Sequence, residues 1–309
     1  MRELANPNAG PVSRIRTLSE PLGRTDADPD EACERLVLDR GDQVEVGADP
    51  KTHKETRHPQ EGFRMNRLAG KRAFVTGGRQ GIGRGIVDTF VSEGAEVITC
   101  GRGDAPEGLT AGWVSLDVAD AEAVRIAAQG LGQLDIVVNN AGVQVEKTVV
   151  DSTDADWDLV MGVNAKGVFN VCRALIPQMR KGGSIINIGS ISGNVADPSM
   201  ALYNASKAFV HGLTRSIAVD HGPAVRCNAI CPGWIETGML DAGFDLAQDP
   251  SKAKTDALAR HAVKRFGQPA DIAAMALWLA CDEASFATGQ LFTVDGGMTA
   301  ASPLNPGLF

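Results

Sequence analysis

From about residue 72 onward, short apolar runs recur along the chain, separated by stretches whose apolar residues fall three and four apart. The runs are Arg72–Thr76, Glu96–Cys100, Trp113–Leu116, Asp135–Asn139, Ser184–Ile188, Val225–Ile230 and Leu291–Val294. Their length and bounding Gly, Asn and Asp residues predict strands. Ala73-Phe74-Val75 and Ile136-Val137-Val138 are continuously apolar rather than alternating. That pattern belongs to parallel strands covered on both faces. The stretches between, Ile82–Ser92, Asp120–Ala128, Asp154–Arg180, Ala201–Val219 and Ala270–Ala280, predict helices. Strands alternating with helices predict an α/β fold: one doubly wound domain, with a central parallel sheet of about seven strands and helices on both faces.

Residues 1–64 break the pattern. They are rich in Asp, Glu, Arg and Pro, and Phe63 is their only aromatic residue. Such a segment buries too little apolar surface to offset its ordering entropy, so a disordered extension is expected. Met65-Asn66-Arg67-Leu68 sits just before the first strand. A translation start placed too far upstream therefore accounts for residues 1–64 as well as a dispensable tail does, and a docking arm is the functional alternative. The folded domain is expected to be 65–309.

Composition narrows the function classes. The chain has 309 residues, 43% of them hydrophobic, and a formal net charge of −8. That balance offers no bulk attraction to nucleic acid or anionic lipid. Apolar runs stay well short of the ~18 residues a membrane span needs. The opening Met1-Arg2-Glu3-Leu4 lacks the apolar segment of a secretory signal. The six cysteines are scattered, with no CxxC pair and no metal set. They read as reduced core residues of a cytoplasmic protein.

The first candidate chemistry follows the first strand. Thr76-Gly77-Gly78-Arg79-Gln80-Gly81-Ile82-Gly83 joins that strand to a helix. Glycines there let the backbone approach a pyrophosphate, and the helix N-terminus supplies N–H groups and a favourable dipole. The spacing is G-x-x-x-G-x-G rather than GxGxxG. About twenty residues further on, an acidic residue would bind the ribose hydroxyls of NAD. The second strand instead ends Thr99-Cys100-Gly101-Arg102. Arg102, helped by Arg79, suits the 2′-phosphate of NADP, so NADP(H) is favoured and NAD(H) remains open. Asp117 and Val118 close the third strand, where Asp117 can accept from an adenine amino group. Asn139, Ala141 and Gly142 close the fourth, where small residues and amides suit packing around an adenosine.

The second candidate cluster lies later. Tyr203 is the only tyrosine in the chain, and Lys207 stands one helical turn on. A phenol titrates near 10, and a nearby ammonium is expected to lower that value. Ser190 ends the fifth predicted strand, at the carboxyl edge where open α/β sheets bind ligands. Asn164 lies within an apolar helical stretch, where an amide is otherwise poorly explained.

Taken in order, these motifs resemble the short-chain dehydrogenase/reductase family, across about Met65 to Phe309. Pro232-Gly233-Trp234-Ile235-Glu236-Thr237 and Val294-Asp295-Gly296-Gly297 also match. Residues 1–64 have no counterpart, and Gln80 replaces a basic residue common in NADP-using members. The resemblance implies a Rossmann-type fold and an oxidoreductase that interconverts secondary alcohols and ketones. Tyr203 would act as acid and base, Lys207 would lower its pKa and hold the nicotinamide ribose, and Ser190 would hold the substrate oxygen. Asn164 would anchor a relay water. Gly77, Arg79, Gln80, Gly81, Ile82, Gly83, Arg102, Asp117, Val118, Asn139, Ala141, Gly142, Pro232, Gly233, Ile235 and Thr237 would contact the cofactor.

Substrate choice is expected in Met239 to about Arg265, with Phe244 and Ala247. Gly193, Asn194, Val195 and Met200 are further pocket candidates. A 3-oxoacyl or small-ketone reductase is the favoured reading. An NAD-dependent sugar or polyol dehydrogenase and a non-catalytic cofactor sensor are the alternatives. His211, His221 and His261 are expected to be helix or surface residues rather than catalytic groups. A homo-oligomer, dimer or tetramer, is expected through the helices Asp154–Arg180 and Ala201–Val219.

Overall fold

A computed structural model describes residues 66–300. The expectations for residues 1–64, Cys33 among them, lie outside the described residues. Seven strands form one sheet: β1 (Arg72–Thr76), β2 (Glu96–Gly101), β3 (Gly112–Ser115), β4 (Leu134–Asn139), β5 (Met179–Ile188), β6 (Val225–Pro232) and β7 (Leu291–Val294). Their order is β3-β2-β1-β4-β5-β6-β7, and every pairing is parallel. The helices are α1 (Gly81–Ser92), α2 (Ala121–Leu131), α3 (Asp154–Met161), α4 (Val168–Leu175), α5 (Ala201–His221), α6 (Gly238–Asp245), α7 (Pro250–Ala259) and α8 (Pro269–Ala280).

The register explains why the strands are apolar throughout. Ala73, Phe74 and Val75 pair with Ile136, Val137 and Val138. Side chains alternate faces along a strand, so paired residues share a face. Ala73, Val75, Ile136, Val138 and Ile186 pack against Ile86, Val87 and Phe90 of α1 and Ile272 and Ala276 of α8. Phe74, Val137 and Ile185 face the other way, onto α2, α4 and α5 through Val124, Val171, Leu175 and Val210.

Several predicted boundaries shift by one to five residues, the largest shift at the junction of the long helix with β5. The long helix ends at Gln178, not Arg180, and β5 begins at Met179. Pro177 closes the helix with a 3-10 turn, since proline has no N–H for the helical ladder. The first half of β5 is polar and exposed, so the apolar run marks only its buried half. The helix is also interrupted by a π-helical turn at Gly162–Gly167. The span Asp154–Gln178 is apolar enough to cross a membrane by length and composition, but half of the window is buried within the fold. It packs against α2, α5 and β4, as a core helix does.

The order reverses at β1, which lies between β2 and β4. At such a switch point the connections leave to opposite faces and a crevice opens beyond the carboxyl ends of the strands.

Candidate active site

That crevice is a cleft of about 1150 Å³. Its floor is the turn from β1 into α1. Gly77 and Gly81 have φ of +72° and +57°, values that favour glycine. A Cβ on Gly83 would lie 2.2 Å from the Gly77 carbonyl oxygen and 2.4 Å from Asn140 Nδ2. Asn140 ties this turn to β4: Nδ2 donates to the Thr76 and Gly77 carbonyls at 2.9 and 3.1 Å. The Asn140 and Ala141 amides donate to Thr76 Oγ1 at 2.9 and 3.0 Å.

Gln80, the N-cap of α1, makes no side-chain cap. By contrast, Asp120 caps α2 and Thr153 caps α3. The first amides of α1 therefore keep their donors for a ligand in the cleft. A glycine cradle beneath an uncapped helix end fits a dinucleotide pyrophosphate. A nicotinamide cofactor bound there would be held by Gly77–Gly83, Asp117, Ala141, Gly142 and the Pro232–Thr237 loop.

At the outer end, Arg79 Nη2 donates to the Arg102 carbonyl at 3.0 Å and to the Asp104 carbonyl. Its guanidinium lies 5.2 Å from the Trp113 ring centroid, and Trp113 Nε1 donates to the Gly103 carbonyl at 3.1 Å. Arg79 and Arg102 are both exposed and both line the cleft.

The other end carries the proton-transfer candidates. Tyr203, at the start of α5, is half-buried and lines the cleft with Ser190. Lys207 is buried, its Nζ 5.5 Å from the Tyr203 ring centroid and donating to the Ile188 carbonyl at 2.9 Å. The expected lowering of the phenol pKa is reversed in the protein alone. Burial pushes Tyr203 up to about 12, the Ser190 hydroxyl opposes this, and the Asp197 carboxylate adds to it. Burial likewise lowers Lys207 to about 8, which weakens the very charge that would favour a phenolate.

Two predicted site residues do not line the cleft. Asn139 is buried, and its Nδ2 donates to Asn187 Oδ1 at 2.8 Å and lies 3.2 Å from Cys172 Sγ. The cleft-lining amide is its neighbour, Asn140. Asn164 sits in the π turn, where its side chain accepts from the Val143 amide and donates to the Val143 carbonyl, both at 2.8 Å. Its Nδ2 also donates to Ser206 Oγ at 3.0 Å. Asn164 thus joins the loop after β4 to α5 with both amide hydrogens committed, while Oδ1 keeps one lone pair. The remaining predicted contacts all border the cleft.

Sequence reasoning missed Gln144, Glu146, Ser192, Asp197 and Trp234, which also line it. Met200, Met239, Phe244 and Ala247 are present as expected, whereas Gly193, Asn194 and Val195 are not. Gly193 instead packs on His211, where a Cβ would meet the ring at 2.5 Å. His211 and His261 are buried and His221 is exposed. Among the described residues no cluster of His, Cys, Asp and Glu is arranged to hold a metal.

A glycine cradle at a sheet switch point, continuous with a Tyr–Lys pair on one helix, defines a nicotinamide-dependent oxidoreductase of CH–OH groups. The chain belongs to the short-chain dehydrogenase/reductase family. A family model described as enoyl-(acyl carrier protein) reductase matches residues 77–299. The 3-oxoacyl-[acyl-carrier-protein] reductase of Thermotoga maritima is 39% identical over 253 residues, 75% of this chain and 99% of that protein. The NADP-dependent (R)-specific alcohol dehydrogenase of Lentilactobacillus kefiri is 39% identical over 254 residues, 76% of this chain and 99% of that protein. The ligand-free aldohexose dehydrogenase of Thermoplasma acidophilum superposes with a TM-score of 0.73 at 32% identity, covering 78% of this chain and 98% of that one.

Proposed function

We propose that the protein is an NADP(H)-dependent reductase of a small neutral ketone, with Tyr203 as the acid that protonates the carbonyl oxygen. The observation that carries this reading is the convergence of Tyr203, Lys207 and Ser190 at one end of a cleft whose other end holds Arg79 and Arg102. When bound, the nicotinamide supplies or takes the hydride. Ser190 hydrogen-bonds the substrate oxygen, Tyr203 gives it a proton, and Lys207 orients the ribose side of the site. In the reverse direction Tyr203 takes the alcohol proton. Arg79 and Arg102 pair with a 2′-phosphate by charge-assisted hydrogen bonds, Arg79 already fixed by Trp113 and two carbonyls.

The substrate end supports a neutral ketone over an anionic thioester. The arginines of the cleft lie on the β1–α1 turn (Arg79), in the first turn of α1 (Arg84) and just after β2 (Arg102), whereas Tyr203 is carried by α5. The cleft is also lined by Met200, Trp234, Leu240 and Phe244 and by the carboxylates Glu146 and Asp197, the last acting on Tyr203. The same carboxylates favour a second reading, a polyol or sugar whose hydroxyls donate to them. Turnover of a panel of simple ketones, 3-oxoacyl thioesters and polyols, with NADPH and NADH and their oxidised forms, tests the assignment. Tyr203→Phe is expected to lose activity at least ~100-fold while retaining NADPH binding. Arg102→Ala is expected to weaken NADPH about tenfold and leave NADH unchanged; equal weakening of both would remove the cofactor argument.

A further inference from the structure

We propose that His211 and Cys231, neither of which lines the cleft, are positioning residues that hold Ser190 where its hydroxyl can donate to the substrate oxygen. The proposal rests on the role given to Ser190 above.

Ser190 stands two residues beyond β5, past the end of the strand ladder. The last tie to the sheet is the Gly189 amide, which donates to the Ile230 carbonyl at 2.7 Å. From there the chain turns, and the Gly193 amide donates back to the Ser190 carbonyl at 3.1 Å. The His211 ring fills the space beside both glycines. A Cβ on Gly189 would lie 2.5 Å from His211 Nε2, and one on Gly193 would lie 2.5 Å from Cε1. Only glycine leaves room for the ring at these two positions. The ring is therefore a post against which both ends of the Ser190 turn are packed.

Cys231 fixes the post. It lies in β6, fully buried, and its Sγ hydrogen-bonds His211 Nε2 at 3.3 Å. Burial pushes the Cys231 thiol up to about 11, and the Ser190 N–H, directed at the same sulfur, opposes the rise. One sulfur thus joins the Ser190 backbone to the ring behind it. Lys207, one turn before His211 on α5, donates to the Ile188 carbonyl, two residues before Ser190. The serine and the lysine are held by the same junction of β5, β6 and α5.

The ring does this as a neutral group. The titratable groups facing it are Lys207 and Arg215 of α5 and Cys231 of β6, and the turn Gly189–Gly193 carries no charge. His211 Nδ1 is buried without a hydrogen-bond partner among the described residues. A proton there would stand unpaired against two cations. Burial, with those cations adding, lowers the pKa of the ring to about 4. At neutral pH His211 supplies packing and one hydrogen bond beneath the site and adds no charge beside Lys207. The need for such a support is geometric. A donor to the substrate oxygen must lie within about 2.7–3.1 Å of it in the transition state. A displacement of about 1 Å can cost on the order of 100-fold in rate.

With NADPH and acetophenone, Cys231→Ala is expected to lower kcat about tenfold, while NADPH affinity, read from cofactor fluorescence, stays at the wild-type value. His211→Leu keeps bulk behind the turn but loses the bond to sulfur, and a similar loss is expected. Cys231→Ser keeps an acceptor for the Ser190 amide and a partner for the ring, so it should recover most of the rate. A double-mutant cycle separates positioning from general damage. In a Ser190→Ala background, Cys231→Ala should cost nothing further, because the group it places is gone. A crystal structure of Cys231→Ala needs no turnover. It should show Ser190 moved beyond the ~0.5 Å within which a catalytic donor must be held.

Full turnover in both Cys231→Ala and His211→Leu would overturn the proposal. So would losses that multiply in the cycle, or an unmoved Ser190 in the crystal. Ser190→Ala separates the two readings. If that variant keeps full turnover, the role given to Ser190 is itself wrong. If it is nearly inactive while Cys231→Ala and His211→Leu behave as wild type, only the role of the pair falls.

Discussion

His211 shows how a residue one turn beyond Lys207 becomes a stability determinant. It is 2% exposed, and a Cβ on either Gly189 or Gly193 would strike its ring. Burial, with Arg215 and Lys207 adding, lowers its pKa from the usual 6.5 to about 4. A base with a depressed folded pKa stabilises the fold above its unfolded value and loses that contribution as pH falls toward the folded one. The window here is pH 6.5 to 4. The loss approaches about 3 kcal/mol, at 1.36 kcal/mol per unit. Urea unfolding at several pH values across that window should show the fall, and His211→Asn should flatten it. At this scale the sequence was legible where spacing alone decides. Tyr203 and Lys207 share a helix face by their separation, and Ser190 follows a strand by two residues. Ser192 and Asp197 were not legible, because a loop fold brings them together. Asn139 and Asn140 differ only by strand alternation, which turns one into the sheet packing and the other toward the cleft.

Among the elements, the β1–α1 turn was legible because its function needs glycine. Gly83→Ala tests that need. The added methyl would meet backbone at Gly77 and the Asn140 amide, neither of which can swing aside without opening the junction of β1 and β4. Destabilisation of about 1–3 kcal/mol is expected from the overpacking, together with a loss of NADPH affinity larger than that of Arg102→Ala. Gly212→Ala is the control. Nothing lies within 4 Å of a Cβ there, and Gly212 is in the interior of α5, so a gain of about 0.5–1 kcal/mol is expected. Calorimetry and cofactor titration of the pair would check both signs. The seven strands were visible from apolar continuity, since burial on both faces demands it. The π turn at Gly162–Gly167 and helix α6 were not. A π turn leaves the apolar spacing nearly unchanged, and α6 has two glycines, Gly238 and Gly243, in eight residues that lower its helical signal.

For the whole molecule, the outer faces of α3, α4 and α5 raise a question of partners. Trp157, Leu159, Phe169 and Phe209 are 40–53% exposed, and Arg173 lies over the Phe169 ring at 5.0 Å. Large apolar side chains grouped on neighbouring helices mark an interaction surface rather than a solvated face. A second copy of the chain, meeting this one helix to helix, would bury that surface twice over through a two-fold axis. Helix α5 also carries Tyr203 and Lys207, so the same contact would brace the proton-transfer groups from behind. Phe169→Glu together with Phe209→Glu places two charges in the centre of that contact. Sedimentation of the full chain is expected to show a dimer or tetramer for the wild type and a smaller species for the double variant. Turnover should fall with it, because α5 loses its support while the cofactor cradle at β1–α1 does not. An unchanged sedimentation coefficient would move the interface elsewhere, to the face around Val219 and Phe286, which are 81% and 103% exposed.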